Sequence, residues 1–281
     1  MTTAVTGATG HLGALVVDGL LARGVAANDV VAIVRDAEKA RSLADRGVQV
    51  RVANYTDTAA LTTALAGVDK LLLVSGSDLG QRVAQHSNVI EAAEAAGVSL
   101  IAYTSILKAD TSGVSLAAEH LATEVRLTES PVAAVLLRNG WYWENYQSSV
   151  PQAVESGTLL GAGGSGAIAA ASRVDFAAAA VEVLVTEGHG GKIYELGGDE
   201  HLTYSDVAAV IAQVTGKPVE YTDVPPAEYK QILLGAGLPE FVADMLASAD
   251  AGISRGELDT DSGDLQKLIG RKSTPAAEVL R

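Results

Sequence analysis

Near the start of the chain, Thr6-Gly7-Ala8-Thr9-Gly10-His11-Leu12-Gly13 has the composition and spacing of a phosphate cradle. A short apolar run precedes it and an amphipathic stretch follows. In such a turn the first glycine permits the tight bend and the second lets a pyrophosphate approach the backbone. The third lets helix and strand pack closely. The helix that follows adds unpaired N–H groups and the positive end of its dipole. The strand–turn–helix context makes a dinucleotide site the expectation, with Gly7, Thr9, Gly10, His11, Leu12 and Gly13 as the cofactor-binding residues. The plain alternative is a glycine turn in an α/β protein that carries no ligand.

The end of the second apolar run selects the cofactor. An acidic residue there binds a ribose 2′-hydroxyl, whereas an arginine accommodates a 2′-phosphate. The chain reads Ala32-Ile33-Val34-Arg35-Asp36, with Lys39 and Arg41 close behind. A guanidinium can stack on adenine and pair with a phosphate, so Arg35 points to NADP(H). Asp36 is open to two roles, as a ribose ligand or as a cap for the next helix. Ser75, Ser77 and Thr104 lie at or after the fourth and fifth strands and are further candidate cofactor contacts.

Aromatic residues are scarce, 4% of the chain, yet Trp141, Tyr142, Trp143 and Tyr146 cluster just after the sixth strand. Ligands of a doubly wound sheet sit outside the carboxyl ends of its strands, so the cluster suits a flat, apolar substrate that stacks. Tyr142, Trp143 and Tyr146 are the candidate substrate residues. Packing of a second lobe is the equal alternative, since adjacent helical residues cannot all face one pocket. The histidines, His11, His86, His120, His189 and His201, make no metal-ligand spacing, and cysteine is absent. No metal is expected, and no Gly-x-Ser-x-Gly motif suggests a serine hydrolase.

The elements that must position these residues follow a regular rhythm. Strands are expected over 3–6, 30–34, 48–53, 70–74, 99–104 and 132–137. Helices are expected over 12–23, 37–45, 59–66, 81–96 and 116–129. Strands about 30 residues apart with helices between them form right-handed βαβ units. The fold class is therefore α/β, a Rossmann-type doubly wound parallel sheet with a smaller, mainly helical C-terminal substrate lobe. Beyond residue 140 a helix is expected over 141–155, a loop over 157–166, a helix over 176–186 capped by Asp175, and a strand over 193–196 that rejoins the sheet. Two or three helices and a strand over 219–221 follow. The domains are expected at 1–150 for the NADP(H)-binding unit, with 168–200 rejoining it, and at 201–281 with loop 157–167 for the substrate lobe.

Composition narrows the partners. With 281 residues, 48% of them hydrophobic, the chain can bury a sizeable core. A net charge of −14 without a basic cluster argues against nucleic acid. No apolar run reaches the ~20 residues of a membrane span, and no signal-peptide pattern opens the chain. The lack of cysteine fits a reducing cytoplasm. A small conjugated molecule is the expected partner, and a homodimer is left open.

Several segments together resemble one family. Thr-Gly-Ala-Thr-Gly-His-Leu-Gly at 6–13, Tyr103-Thr104-Ser105, Leu116-Ala-Ala-Glu-His120-Leu-Ala-Thr-Glu124 and Leu137-Arg-Asn-Gly-Trp-Tyr-Trp-Glu-Asn-Tyr146 are similar to NmrA-like atypical short-chain dehydrogenases/reductases. Within that family the likeness is to bacterial NADPH-dependent quinone oxidoreductases and triphenylmethane reductases. The resemblance implies a Rossmann domain, a small substrate lobe and hydride transfer without flavin or metal. The wider superfamily carries Tyr-x-x-x-Lys on the helix after the fifth strand, and here Leu116 and His120 stand at those positions. Leucine cannot donate a proton, which an unactivated ketone needs. A quinone or cationic dye does not, because the added electron pair is delocalised. On this resemblance His120, Lys108 and Ser105 are the candidate catalytic residues, with surface or solvated roles as the alternatives for His120 and Lys108. The expected activity is hydride transfer from NADPH to a quinone or similar electron-poor acceptor. A non-catalytic NADP(H)-binding redox sensor and a reductase of imines or enones are the competing readings.

Overall fold

The computed structural model describes every residue except Leu79. Two compact units are each assembled from three separated stretches. Met1–Ser105, Glu119–Arg138 and Phe176–Tyr194 form the first, and Ile106–Ala118, Asn139–Asp175 and Glu195–Arg281 form the second. In chain order the elements begin with β1 (Thr3–Thr6), α1 (His11–Ala22), β2 (Val30–Val34), α2 (Arg41–Asp45), β3 (Gln49–Val52), α3 (Thr58–Ala64), β4 (Lys70–Leu73) and α4 (Arg82–Ala96). They continue with β5 (Leu100–Ile106), α5 (Ala117–Thr128), β6 (Ala133–Asn139), α6 (Val150–Ser156), β7 (Thr158–Gly161), β8 (Ala167–Ile168), α7 (Arg173–Val185) and β9 (Ile193–Leu196). The last are β10 (Leu202–Thr203), α8 (Tyr204–Thr215), β11 (Glu220–Asp223), α9 (Pro226–Gly235), α10 (Glu240–Ser254), α11 (Asp264–Ile269) and α12 (Ala276–Val279).

A seven-stranded sheet in the order β3-β2-β1-β4-β5-β6-β9 organises the first unit. The pairs β1–β2, β1–β4, β2–β3 and β4–β5 are parallel. The order reverses between β1 and β4, which makes the carboxyl ends of those two strands the topological switch point. Helices on both faces leave the central strands no wet side, and β1, β2, β4 and β5 are buried along their whole length. Helix α1 packs through Leu12, Val16, Val17 and Leu20 at helical spacing. Even Lys70, at the start of β4, is buried. Its ammonium takes the carbonyls of Leu184 and Thr186 and the Glu187 carboxylate, each at 3.0 Å, where α7 ends. A buried ion pair also lies in this unit, with Arg138 on β6 bound bidentately to Glu124 on α5 at 3.0 and 2.6 Å.

The second unit has its own apolar core, built on Trp143, Tyr146, Leu159, Ile168, Tyr204, Ile211, Ile253 and Leu258. Two small ribbons brace it, a parallel β7–β11 pair and an antiparallel β8–β10 pair. Helix α8 starts on a capping box, in which Thr203 accepts from the Asp206 N–H and Asp206 accepts from the Thr203 N–H.

The α/β architecture, the six N-terminal strands and the return of β9 to the sheet agree with the sequence reading. Four expectations need correction. The stretch 141–155 is not one helix. Tyr142 is extended and bridged to Ala171, a short 3-10 turn covers Trp143–Asn145, and α6 begins only at Val150. Pro151 fits the first turn of α6 but would break a helix running through it. The expected loop 157–166 contains β7, paired with β11. Asp175 is not the cap of α7 but lies in its first turn, where its N–H donates to Ser172 Oγ at 3.1 Å. The second unit exceeds the expected lobe, because 106–118, the whole of 139–175 and 195–200 belong to it. It carries five helices from residue 204 onward, two of them short. No helix among the described residues is long and apolar enough to cross a membrane.

Candidate functional site

The loop leaving β1 is shaped by glycine geometry. Gly7 has φ +57°, a left-handed conformation that side chains rarely adopt. Its carbonyl accepts from the Gly10 N–H at 2.8 Å. A Cβ on Gly13 would stand 2.3 Å from that carbonyl oxygen, so helix α1 can pack this close only on glycine. A Cβ on Gly10 would stand 3.1 Å from the same oxygen and over the open turn. Helix α1 starts without a side-chain cap, which leaves its first N–H groups for a ligand. Gly7, Thr9, Gly10 and His11 are exposed. Leu12 is buried in the core, so its contribution to a ligand is confined to its backbone. This exposed concavity of N–H groups fits a pyrophosphate.

The rest of the switch point is prepared in the same unit. Arg35 follows β2, is exposed, and makes no hydrogen bond or ion pair with the described residues. Asp36 is engaged otherwise, its carboxylate accepting from the Glu38 N–H at 2.9 Å in a local turn, and it caps neither the short 3-10 turn at Glu38–Ala40 nor α2. The sequence reading missed Tyr55, whose hydroxyl donates to the Val74 carbonyl at 2.8 Å and lies 2.5 Å from Thr6 Oγ1. Thr6 Oγ1 accepts from the Val74 N–H at 3.0 Å, so the ends of β1 and β4 are tied together. Ser75 donates its N–H to Thr104 Oγ1 at 2.9 Å, while Ser77 is exposed.

The loop after β4 is fastened to α4 and α5 by buried polar groups. Arg82 donates to the Gly76 carbonyl at 2.8 Å and to Glu119 at 2.9 Å, and Glu119 also accepts from the Gly80 N–H at 2.8 Å. The Gly76 N–H donates to His86 Nε2 at 3.0 Å, and His86 Nδ1 meets Thr123 Oγ1 at 3.0 Å. His120 is buried as well, with Nδ1 2.7 Å from the Tyr103 hydroxyl. Burial, with Arg82 nearby, holds both His86 and His120 down to about 3. Burial pushes the Tyr103 phenol well above its ordinary range.

Each of the three candidate catalytic residues is engaged with a protein partner, His120 with the Tyr103 hydroxyl, Ser105 with Glu124 and Lys108 with Gly256. The Ser105 hydroxyl donates to Glu124 at 2.6 Å, inside the Arg138 ion pair. Its proton is directed to that carboxylate, which leaves its oxygen as an acceptor. Lys108 belongs to the second unit and is the one non-glycine among the described residues with a left-handed backbone, φ +53°. Its N–H donates to Glu195 at 2.9 Å and its ammonium to the Gly256 carbonyl at 2.9 Å. Leu116 is half-buried just before α5 and packs against Ile106, Ala109, Val114 and Ala117.

The aromatic segment divides. Trp143 is fully enclosed and Tyr146 nearly so, both in the core of the second unit. Tyr142 is half-buried. The Arg173 guanidinium lies over its ring at 4.9 Å, and Asn139 donates to its hydroxyl at 3.3 Å. Among the described residues no group of three histidine, cysteine or acidic side chains is placed to hold a metal ion.

The NmrA-like family model matches residues 1–257. The chain belongs to the NmrA-like family. Within the family, quinone oxidoreductase 2 of Escherichia coli (strain K12) is 52% identical over 275 residues, 98% of this chain and 96% of that one. The crystal structure of an E. coli NADPH-dependent quinone oxidoreductase complexed with NADPH superposes with a TM-score of 0.97 at 51% identity, covering 99% of this chain and 98% of that one. Citrobacter sp. triphenylmethane reductase complexed with NADP(H) gives 0.95 at 41% identity, with 99% of each chain covered. The family resemblance read from the four sequence segments is thereby borne out.

A buried carboxylate in the second unit gives a pH prediction. Asp250 accepts from the Tyr204 hydroxyl at 2.6 Å and from the Ala162 N–H at 2.7 Å. Burial raises its carboxyl to about 6, against ~3.9 in an unfolded chain. The native state therefore binds the extra proton between these values, and stability falls as the pH rises through that window. Urea unfolding at a series of pH values should show this fall in the parent. In Asp250→Asn that component of the slope should disappear, whatever the offset in stability. An unchanged slope would place the titration elsewhere.

Proposed function

We propose that this chain is an NADPH-dependent reductase of quinones and related electron-poor conjugated acceptors. The observation that carries the reading is the near full-length likeness, at 52% identity, to quinone oxidoreductase 2. It is joined to a glycine turn whose open N–H groups fit a dinucleotide. The turn from Gly7 to Gly13 holds the pyrophosphate. Arg35, exposed and with no side-chain hydrogen bond or ion pair among the described residues, receives the 2′-phosphate, while Asp36 is engaged in a local turn with the Glu38 N–H. Ser75, Ser77 and Thr104 line the cofactor's path beyond the turn. NADPH, when bound, supplies a hydride.

The protein's own groups explain the choice of acceptor. Leu116 offers no proton, the Ser105 proton is bound to Glu124, and the Lys108 ammonium is bound to Gly256. His120 is held neutral by burial at working pH. No side chain in this set is an acid suited to a simple ketone, whereas an acceptor that delocalises the new charge needs none. Tyr142 is the ring offered to a flat acceptor, and Trp143 and Tyr146 support it from the core. His120 serves as a hydrogen-bonding group rather than as an acid.

Two measurements test this reading. NADPH oxidation, followed at the nicotinamide absorbance, should be faster with benzoquinones and naphthoquinones than with simple ketones. The gap should be at least the ~10²–10⁴ that general acid catalysis supplies. Efficient turnover of plain ketones, or no turnover of any conjugated acceptor despite tight NADPH binding, would contradict the assignment. Arg35→Ala should weaken NADPH about tenfold to a hundredfold through loss of a charge-assisted contact, with NADH nearly unaffected. Equal losses for the two cofactors would remove Arg35 from the 2′-phosphate.

A further inference from the structure

Side chains alternate along an extended backbone. Trp141 and Trp143 are buried in the core of the second unit, so Tyr142 between them, at φ −96° and ψ 129°, stands on the opposite side. A bridge to Ala171 holds this strip. The Trp143 N–H donates to the Ala171 carbonyl at 3.1 Å, and the Ala171 N–H to the Trp141 carbonyl at 3.0 Å. Two residues later α7 begins with Arg173. Its guanidinium lies over the Tyr142 ring at 4.9 Å and donates to Asn145 Oδ1 at 2.9 Å. Arg173 therefore grips both ends of the turn from Tyr142 to Asn145.

The charge of this guanidinium is weakly countered. Arg138, by contrast, meets Glu124 with two bonds of 3.0 and 2.6 Å. The carboxylate beside Arg173 is that of Glu144, and its Oε1 accepts from the Arg173 backbone N–H at 2.8 Å. Its Oε2 stays 4.0 Å from the guanidinium, buried and without a hydrogen-bond partner among the described residues. Asn145 is neutral, and Asp175 pairs with Arg271 at 2.7 Å. Burial raises the Tyr142 phenol. Of the two charges beside it, Arg173, which favours the phenolate, acts more strongly than Glu144, which opposes it. The Tyr142 hydroxyl thus reads a net positive potential from the pair.

Acceptors differ in the charge they develop. A neutral quinone takes a hydride, with its electron pair, from the C–H bond broken in NADPH, and NADP⁺ is left. One negative charge settles on a quinone oxygen, which then takes a proton from water. A cationic triarylmethyl dye takes the same hydride at its central carbon and ends neutral. Stacked rings lie about 4.5–7 Å apart, so an acceptor on Tyr142 stays within reach of the Arg173 charge. We propose that Arg173 is a specificity-determining residue, whose weakly countered charge over the Tyr142 ring favours acceptors that become anionic and disfavours those that arrive as cations. The inference rests on the reading of Tyr142 as the ring offered to the acceptor.

The test compares the intact parent with two variants. Arg173→Gln removes the charge but keeps an amide donor, and Arg173→Lys keeps the charge. With a neutral naphthoquinone, kcat of Arg173→Gln should fall about threefold to tenfold at nearly unchanged KM, because the charge is felt only as the anion develops. Affinity of the same variant for a cationic triphenylmethane dye, followed by its visible absorbance, should rise about threefold. Arg173→Lys should recover most of the quinone rate, and both variants should bind NADPH as the parent does. A merely structural role would loosen Tyr142 and weaken quinone and dye together, in Arg173→Lys as in Arg173→Gln. That pattern, or a quinone rate untouched by Arg173→Gln, would overturn the proposal. A parent that binds NADPH yet reduces no quinone would overturn the reading beneath it, and the parent alone reveals that failure.

Discussion

The approach of α1 to the loop after β1 is the constraint on which the candidate site depends. Gly13 admits the helix so close to the Gly7 carbonyl that no Cβ fits between them. This closeness leaves the first N–H groups of the helix over the exposed turn, where a phosphate can reach them. The turn opens at the switch point, and Arg35 after β2 and Ser75 after β4 fall on the same carboxyl side of the sheet. Parallel pairing of β2 and β4 with β1 brings Arg35 and Ser75 to the same side of the sheet as the glycine turn.

The buried polar groups show what the sheet requires around that turn. Arg82, His86 and Glu119 hold the loop after β4 to its neighbouring helices, and Tyr55 ties that loop to the end of β1. Buried groups of this kind are costly when unpaired, and here nearly every donor has an acceptor. Ser105 illustrates the consequence. Its residue type and place suggest catalysis, and its hydroxyl donates to Glu124 beside the Arg138 guanidinium. The Ser105 hydroxyl and the Lys108 ammonium are each engaged within their own unit, with Glu124 and with the Gly256 carbonyl.

Much of the first unit could be read directly because parallel strands covered on both faces appear as unbroken apolar runs, as in Leu71-Leu72-Leu73. The glycine spacing was equally legible, since steric demand at Gly7 and Gly13 admits few other residues. The second unit was harder. Its strand β7 has only four residues and pairs with β11 far along the chain, so the local glycine content suggested a loop. The stretch after Trp141 looked helical from its aromatic spacing, but pairing of Tyr142 with Ala171 overrides that preference. Tyr103 read as an ordinary strand residue, and only its contact with His120, on a different element, reveals more. Long-range hydrogen bonds leave no periodic trace in a sequence.

The central claim is that the exposed backbone of the Gly7–Gly13 turn receives the cofactor's phosphates. Gly10 allows a clean trial. Its backbone, φ −84° and ψ 170°, is one that any residue adopts, so Gly10→Val can fold while placing its side chain over the turn. The measurement is titration of the folded variant with NADPH, read by nicotinamide fluorescence beside the parent and a circular-dichroism check of fold. The account predicts native-like structure with NADPH binding reduced at least a hundredfold, the result of a clash of about 3 kcal/mol. A folded variant that binds NADPH as the parent does would contradict it.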